Sequence, residues 1–312
     1  MRRQRSTLQP QPTVARNFQS LDADQFGPNP NVHMFTEDVH LAVMPIGGRS
    51  SKKHEFSITL NGSKEECERA QQLIGNIAQY DRHDLTGSIC DAVEEIARRL
   101  SWEGCAVYEI IPDESDVPYL YGFTSWNLVR IYGWFLQIIP KGDWELWNKK
   151  WVLIQSSKIW CIEMPTTLGG RKGYVGIINK LKRFDLLGPK FWRIDMEYSK
   201  QSDGFDFQMY NRNSEIYRSR VTRTWGWNRR DWSQEKTTEF FCFYKMVTFR
   251  WAQAVLREHI ITELNALLCR LGIDCKIVVS GLPTPHEIKD IRRKLLDGEL
   301  SFASASDKVS LS

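Results

Sequence analysis

The sequence predicts an α+β fold: two helices laid on a mainly antiparallel sheet, then a further helix, an extended excursion and one long helix. Three observations carry this expectation. Two helical patterns precede a series of short aromatic strands between 56 and 165, and glycines and prolines punctuate 165 to 189. From about Thr237 to Leu271 apolar residues then recur at helical spacing. A chain of 312 residues with 42 % hydrophobic residues can bury a sizeable core and hold two domains, or one with insertions. The expected organisation is a flexible basic arm over 1–35, an α/β module over 36–165, a helix within 166–188, an extended excursion over 189–238, a long helix with a C-terminal strand and helix over 239–302, and a disordered tail over 303–312.

Each element has a local reason. The arm is rich in Arg, Gln, Pro and Asn and holds an FGPNPN turn cluster, so periodicity is weak there. Phe56 to Leu60 alternates as a strand does, and Asn61-Gly62 reads as a turn. Ser63 and Glu66 form an S-x-x-E capping box opening a helix to about Gln79. A second helix is expected from Asp84 to Glu103, with Leu85, Ile89, Val93, Ile96 and Leu100 on one face, and Gly104 breaks it. Strands follow at CAVYEII, Trp126 to Ile131, Trp134 to Ile139, Trp151 to Gln155 and Ile159 to Ile162. Glycines 169, 170 and 173 precede a helix from Tyr174 to Leu187. The helix from Thr237 to Leu271 presents Phe240, Tyr244, Val247, Trp251, Ala254, Ile261, Leu264 and Leu268 on a broad face. At ~1.5 Å per residue its roughly 35 residues span about 50 Å. Lys276 to Ser280 is a strand, and Thr284, Pro285 and Glu287 open a last helix that Gly298 stops.

Charge and cysteine usage narrow the class. Net charge is only +4, so any nucleic-acid reading rests on local clustering. Seven scattered cysteines (67, 90, 105, 161, 242, 269, 275) form no CxxC pair and read as reduced thiols, with Cys90, Cys105 and Cys161 as core packing. The basic N-terminus has no apolar run behind it and no stretch reaches the ~18 apolar residues a membrane span needs, so a cytoplasm-like compartment and no membrane are expected.

The densest chemistry lies from Tyr217 to Trp232. Five arginines (Arg218, Arg220, Arg223, Arg229, Arg230) and three tryptophans (Trp225, Trp227, Trp232) share sixteen residues with one acid, Asp231. Guanidinium forks onto phosphate and indole stacks on flat groups, so a polyanionic or planar partner suits this mixture. A basic loop folded over a Trp-rich core is the alternative. On the long helix, Lys245, Arg250 and Arg257 lie in a stretch without acids between Glu239 and Glu258, facing either an anion or solvent. Twelve tryptophans exceed what a core needs, and Trp225, Trp227, Trp232 and Trp251 are candidates for subunit interfaces.

No catalytic constellation stands out. The six histidines (33, 40, 54, 83, 259, 286) form no HxxxH pair, GGRKG lacks phosphate-loop spacing, and no serine sits in a G-x-S-x-G elbow. No cofactor, metal site or enzymatic activity is therefore expected. The acidic sets Asp81/Asp84/Asp91 and Asp113/Glu114/Asp116 read as a capped helix start and a polar turn, and metal-dependent nucleic-acid chemistry on them is the remaining enzymatic alternative.

The run Leu100-x-x-x-Gly104-Cys105-Ala106-Val107-Tyr108-Glu109-Ile110, in which a helix breaks at glycine into an aromatic strand, resembles the G-N-A-Y-x-E-I passage of portal proteins of tailed bacteriophages. Cys105 stands where Asn is usual, and Tyr108 is displaced by one position. Ile159 to Ile162, the glycines 169, 170 and 173 and the helix from Tyr174 are similar to the strand, turn and helix that follow in that family, without its frequent strand histidine. LREHIITELNALLCRLGI, KIVVSGL and LLDGELSF are similar to its C-terminal course, so the resemblance spans about 56 to 302. It implies a subunit of a homo-oligomeric ring, usually of about twelve copies, at a capsid vertex of a virion made in the host cytoplasm. Double-stranded DNA would pass through, driven by a terminase, and neck, tail and capsid proteins would dock. In that reading 36–165 is wing-like, 174–187 a stem-like helix, and 189–238 clip and returning stem. The Arg/Trp cluster would line the channel or meet a docking partner. A stand-alone nucleic-acid-binding protein using that cluster is the alternative of a different class.

Overall fold

The computed structural model describes residues 12–14, 30–44, 56–78, 84–113, 116–187, 215–227 and 239–309. In chain order these form α1 (Pro30–His40), β1 (Ser57–Gly62), α2 (Lys64–Ala78), α3 (Leu85–Glu103), β2 (Cys105–Ile111), β3 (Tyr119–Phe123), β4 (Leu128–Ile131), β5 (Trp134–Ile138), α4 (Trp144–Trp147), β6 (Trp151–Gln155), β7 (Ile159–Glu163) and α5 (Gly170–Leu187). A helix over 215–221, α6, comes next. The chain then continues with α7 (Glu239–Arg270), β8 (Cys275–Ser280), α8 (Pro285–Leu296) and α9 (Phe302–Val309). The class is α+β with antiparallel strand pairing throughout the described sheets, as expected. In place of one sheet, however, there are three small ones, ordered β1-β8, β3-β2-β7 and β4-β5-β6.

The middle sheet organises the molecule. Both faces of β2 are buried, which is why CAVYEII reads as a continuous apolar run. Ala106 and Tyr108 face the main core with Trp160 and Ile162 of β7, and helices α1, α2, α3, α5 and α7 complete that core. Cys105, Val107 and Ile159 face the other way, against Phe135, Val152 and Ile154 of the third sheet. β3 was not anticipated from the sequence.

α3 follows its pattern closely. Asp84 caps it by accepting the Gly87 N–H at 2.8 Å, and Ile89, Val93, Ile96 and Leu100 are fully buried. Gly104 ends it in the left-handed region at φ 68°, its N–H donated to the Leu100 carbonyl.

Several expectations change. The arm expected over 1–35 is structured in part: Val32, Phe35 and Val39 recur at helical spacing and seat α1 on α3 and α5. Farther upstream, Thr13 and Val14 donate their N–H groups to the buried Glu109 carboxylate at 2.9 and 3.2 Å. Asn61-Gly62 is not a turn, because long-range pairing with Lys276 and Cys275 of β8 overrides the local signal. The S-x-x-E box is only half made. Ser63 accepts the Glu66 N–H at 3.3 Å, but the Glu66 carboxylate accepts from Asp274 N at 3.0 Å and Arg69 Nη1 at 2.8 Å. It thereby ties α2 to the approach of β8 and not to its own cap.

α5 begins four residues before the expected Tyr174, at Gly170. The part of the 189–238 excursion that is described, 215–227, is helix and turn in place of strand and loop. α7 runs 32 residues, about 48 Å. At α8 the second capping box is complete, with Thr284 and Glu287 exchanging both bonds and Pro285 in the first turn. Of the tail expected to be disordered, 303–309 belong to α9, because Ala305 and Val309 pack on Val247, Ala254 and Ile291 in a third cluster, and 310–312 lie outside the described residues.

Candidate functional site

The described arginines and tryptophans of the cluster occupy α6 and the turn after it. Arg218 is buried and donates from Nη1 to Asn31 Oδ1 at 3.3 Å. Gly226 turns the chain at φ 67°, where a Cβ would lie 2.7 Å from the Lys245 carbonyl oxygen and 2.6 Å from Thr248 Cβ, so only glycine fits. On either side of it the two indoles enter the core. Trp225 is 0 % exposed and meets Phe35 and Tyr174 edge-on, with ring centroids at 5.9 and 5.4 Å. Trp227 packs on Phe35 at 5.3 Å and donates its Nε1–H to Asp38 at 2.8 Å. These tryptophans therefore hold α6 against α1 and α5; they are neither base-stacking platforms nor subunit contacts in this conformation. Arg220 and Arg223 alone among the described cluster arginines are exposed. Arg229, Arg230 and Trp232 lie outside the described residues.

The cations of α7 are also engaged internally. Lys245 donates to Ser219 Oγ at 2.7 Å and lies 5.2 Å from the Phe241 ring centre, and burial, with Arg223 nearby, pulls its pKa down. Arg250 donates to Gln253 Oε1, whose amide in turn donates to the Asp38 and Leu41 carbonyls, and burial lowers its pKa too. Arg257 donates to the Pro283 carbonyl at 2.7 Å and to Glu258 Oε1 at 3.0 Å. Burial lowers its pKa against the opposing pull of Glu258. Lys245 and Arg257 thus face the protein interior, and neither the anion-facing nor the solvated face weighed from the sequence describes them. Trp251 is half-buried beneath the Arg292 guanidinium, 5.5 Å above its ring.

The most distinctive surface was not singled out from the sequence. In the β4-β5-β6 sheet, Phe135, Val152 and Ile154 point inward. The register sets Ile131 opposite Trp134, Val129 opposite Leu136, Leu136 opposite Leu153 and Ile138 opposite Trp151, so these residues form one continuous outer face. Val129, Ile131, Trp134, Ile138, Trp151 and Leu153 are each between 40 % and 58 % exposed. At the tip of the β4-β5 hairpin Tyr132 is fully exposed, with φ 37°. An antiparallel sheet with one wet face alternates apolar and polar residues, and this sheet is mostly apolar on both, with Gln137 and Arg130 on the inner face and Gln155 on the outer. An open apolar patch of this kind is a candidate interaction surface.

Two polar groups complete the inventory. Glu103 accepts from Thr124 Oγ1 at 3.0 Å and from Ser125 N, while Arg171 donates to Ser125, so the end of α3, the end of β3 and the start of α5 are tied together. Burial outweighs those bonds and raises the Glu103 pKa. Across β2 and β7, Cys105 Sγ and Cys161 Sγ lie 3.1 Å apart. Cys161 lines an open cleft of about 300 Å³ between the sheets and α7, together with Arg130, Ser156, Glu263 and Arg270. Among the described residues no group of three or more His, Cys, Asp or Glu side chains could hold a metal, and no helix is long and apolar enough to cross a membrane. No family model matches the sequence, and no curated protein matches it.

Proposed function

We propose that this chain is a subunit of a homo-oligomeric assembly, and that the outer face of the β4-β5-β6 sheet is where a neighbouring copy packs. That two-sided apolar sheet is the observation that carries the reading. Within the described chain nothing covers the face, and a second copy of a ring subunit is the occupant that removes it from water at every position of a closed ring. Together with the sequence resemblance, this supports a portal protein of a tailed bacteriophage as the particular assembly: a ring at a capsid vertex through which double-stranded DNA is packaged and ejected. The role is that of a conduit and docking platform, not of a catalyst. A net charge of +4 suits a channel along which DNA slides, since dense phosphate neutralisation would bind it tightly. Exposed Arg220 and Arg223 are candidates for channel or terminase and neck contacts. A stand-alone nucleic-acid clamp has less support, because Trp225 and Trp227 are spent on the core.

Mass photometry across a wide concentration range tests this. The wild type is expected as a closed ring of many subunits, and Trp134→Lys with Trp151→Glu is expected to dissociate it while leaving the melting temperature of the subunit within a few degrees. A wild-type population that is only monomeric or dimeric would overturn the proposal.

A further inference from the structure

We infer that Cys161 and Cys105 form a thiol–disulfide exchange site, with Cys161 as the attacking thiol, Cys105 as the resolving thiol, and a low-molecular-weight disulfide bearing carboxylates as the substrate class. The two residues are diagonal neighbours across the central ladder, Cys105 opposite Glu163 and Cys161 opposite Val107, and their sulfurs touch at 3.1 Å. Their surroundings differ. Cys105 is buried and packed in the second core cluster, whereas Cys161 is half-buried and lines the cleft. A small disulfide entering the cleft therefore meets Cys161 first. Arg130 and Arg270 line the same cleft against the single acid Glu263, so its charge still favours carboxylates, although Arg270 is also held by the Ile159 and Ser157 carbonyls; Ser156 adds a buried hydroxyl oxygen with no partner among the described residues.

The electrostatics agree with this division of roles. The contact between the two thiols favours a thiolate on Cys161, the sulfur that lines the cleft; burial and Glu163 oppose it, and Arg171 and Arg130 add to it. The same contact, with burial, holds the Cys105 proton in place. In the first step the Cys161 thiolate attacks one sulfur of the substrate, the substrate S–S bond breaks and one small thiolate leaves. In the second, Cys105 loses its proton to solvent and attacks Cys161 Sγ, expelling the other small thiolate. The net change oxidises two protein thiols and reduces one small disulfide to two thiols. Once Cys161 is in the mixed disulfide it no longer holds the Cys105 proton, which releases the resolving thiol at the moment it is needed.

A second pair within the same fold serves as an internal control. Cys67 and Cys275 approach to 3.8 Å, but burial and the neighbouring thiol push Cys275 up to about 11, and neither residue lines the cleft. This inference does not depend on the assembly proposed above.

The test is incubation of the reduced full-length protein with oxidised glutathione at neutral pH, followed by peptide mapping. A Cys105–Cys161 cross-linked peptide is expected to form about tenfold faster than any product at Cys67, Cys275 or exposed Cys269. Cys105→Ser is expected to accumulate a glutathione adduct on Cys161, and Arg130→Ala to slow that adduct severalfold without lowering the melting temperature. The oxidised wild type, with a bridge spanning 56 residues of sequence, is expected to melt about 5 °C or more above the reduced form. Reaction at Cys161 no faster than at Cys269, or a Cys105→Ser protein that leaves Cys161 unmodified, would overturn the inference.

Discussion

Replacing Trp225 with alanine separates the two readings that the arginine–tryptophan turn invites. In the structure its indole is 0 % exposed and sits edge-on to Phe35 and Tyr174. Truncating a fully buried tryptophan costs about 3 to 5 kcal/mol, a figure that includes the loss of aromatic contacts worth roughly 1 kcal/mol each. For a chain of this size that corresponds to a fall of about 10 °C in melting temperature. A gentler change gives a second point on the scale. The Trp225 Nε1–H meets no acceptor among the described residues, so Trp225→Phe keeps an aromatic contact, removes an unpaired donor and should cost only about 1 to 2 kcal/mol. Urea titration followed by far-UV circular dichroism reads both variants on the same axis. An alanine variant whose midpoint matches the wild type, with nucleic-acid binding or ring assembly changed instead, would refute the argument that this tryptophan belongs to the core.

Gly104→Val tests the break between α3 and β2: the residue sits at φ 68° and a Cβ would lie 3.2 Å from Val175 Cγ2, so a loss of at least about 2 kcal/mol is expected in thermal melting, and a melt matching the parent would contradict the assigned geometry. Glu103 supplies a pH dependence. Its pKa is raised in the folded state, so the native protein holds that proton more tightly than the unfolded chain, and stability falls as pH rises from the ordinary carboxylate range through the raised value. Glu103→Gln should flatten that part of the curve of melting temperature against pH; two parallel curves would argue against it.

What was legible in the sequence divides along a physical line. Elements whose signal is local were readable, such as α3 with its stripe, Asp84 cap and Gly104 stop, and α8 with its reciprocal box. Elements decided by a distant partner were not. Asn61-Gly62 looks like a turn until β8 arrives beside it, and Glu66 looks like a capping partner until the Asp274 N–H takes its carboxylate. The composition of the arm and tail signals no structure, yet α1 and α9 form there, because a short helix is stabilised mainly by the surface it packs on. The arginine–tryptophan run shows the same limit for a site. Composition counts charges and rings, but it does not report that Gly226 turns the chain so that both flanking indoles enter the core.

The apolar sheet face, by contrast, left a trace that composition alone did not bring out. In WVLIQ four successive residues are apolar, and in WFLQI only Gln137 interrupts the run. A strand buried on one face should alternate, whereas a continuous run implies that both faces are covered. For β2 the chain itself supplies both covers, helices on one side and the β4-β5-β6 sheet on the other. For β5 and β6 the described chain supplies only the inner one, leaving Trp134, Ile138, Trp151 and Leu153 in water. The same sequence pattern has thus been satisfied once within the fold and, among the described residues, once only in part. This makes the outer face of β5 and β6, more than any charged group in the chain, the place where the protein's function should first be sought.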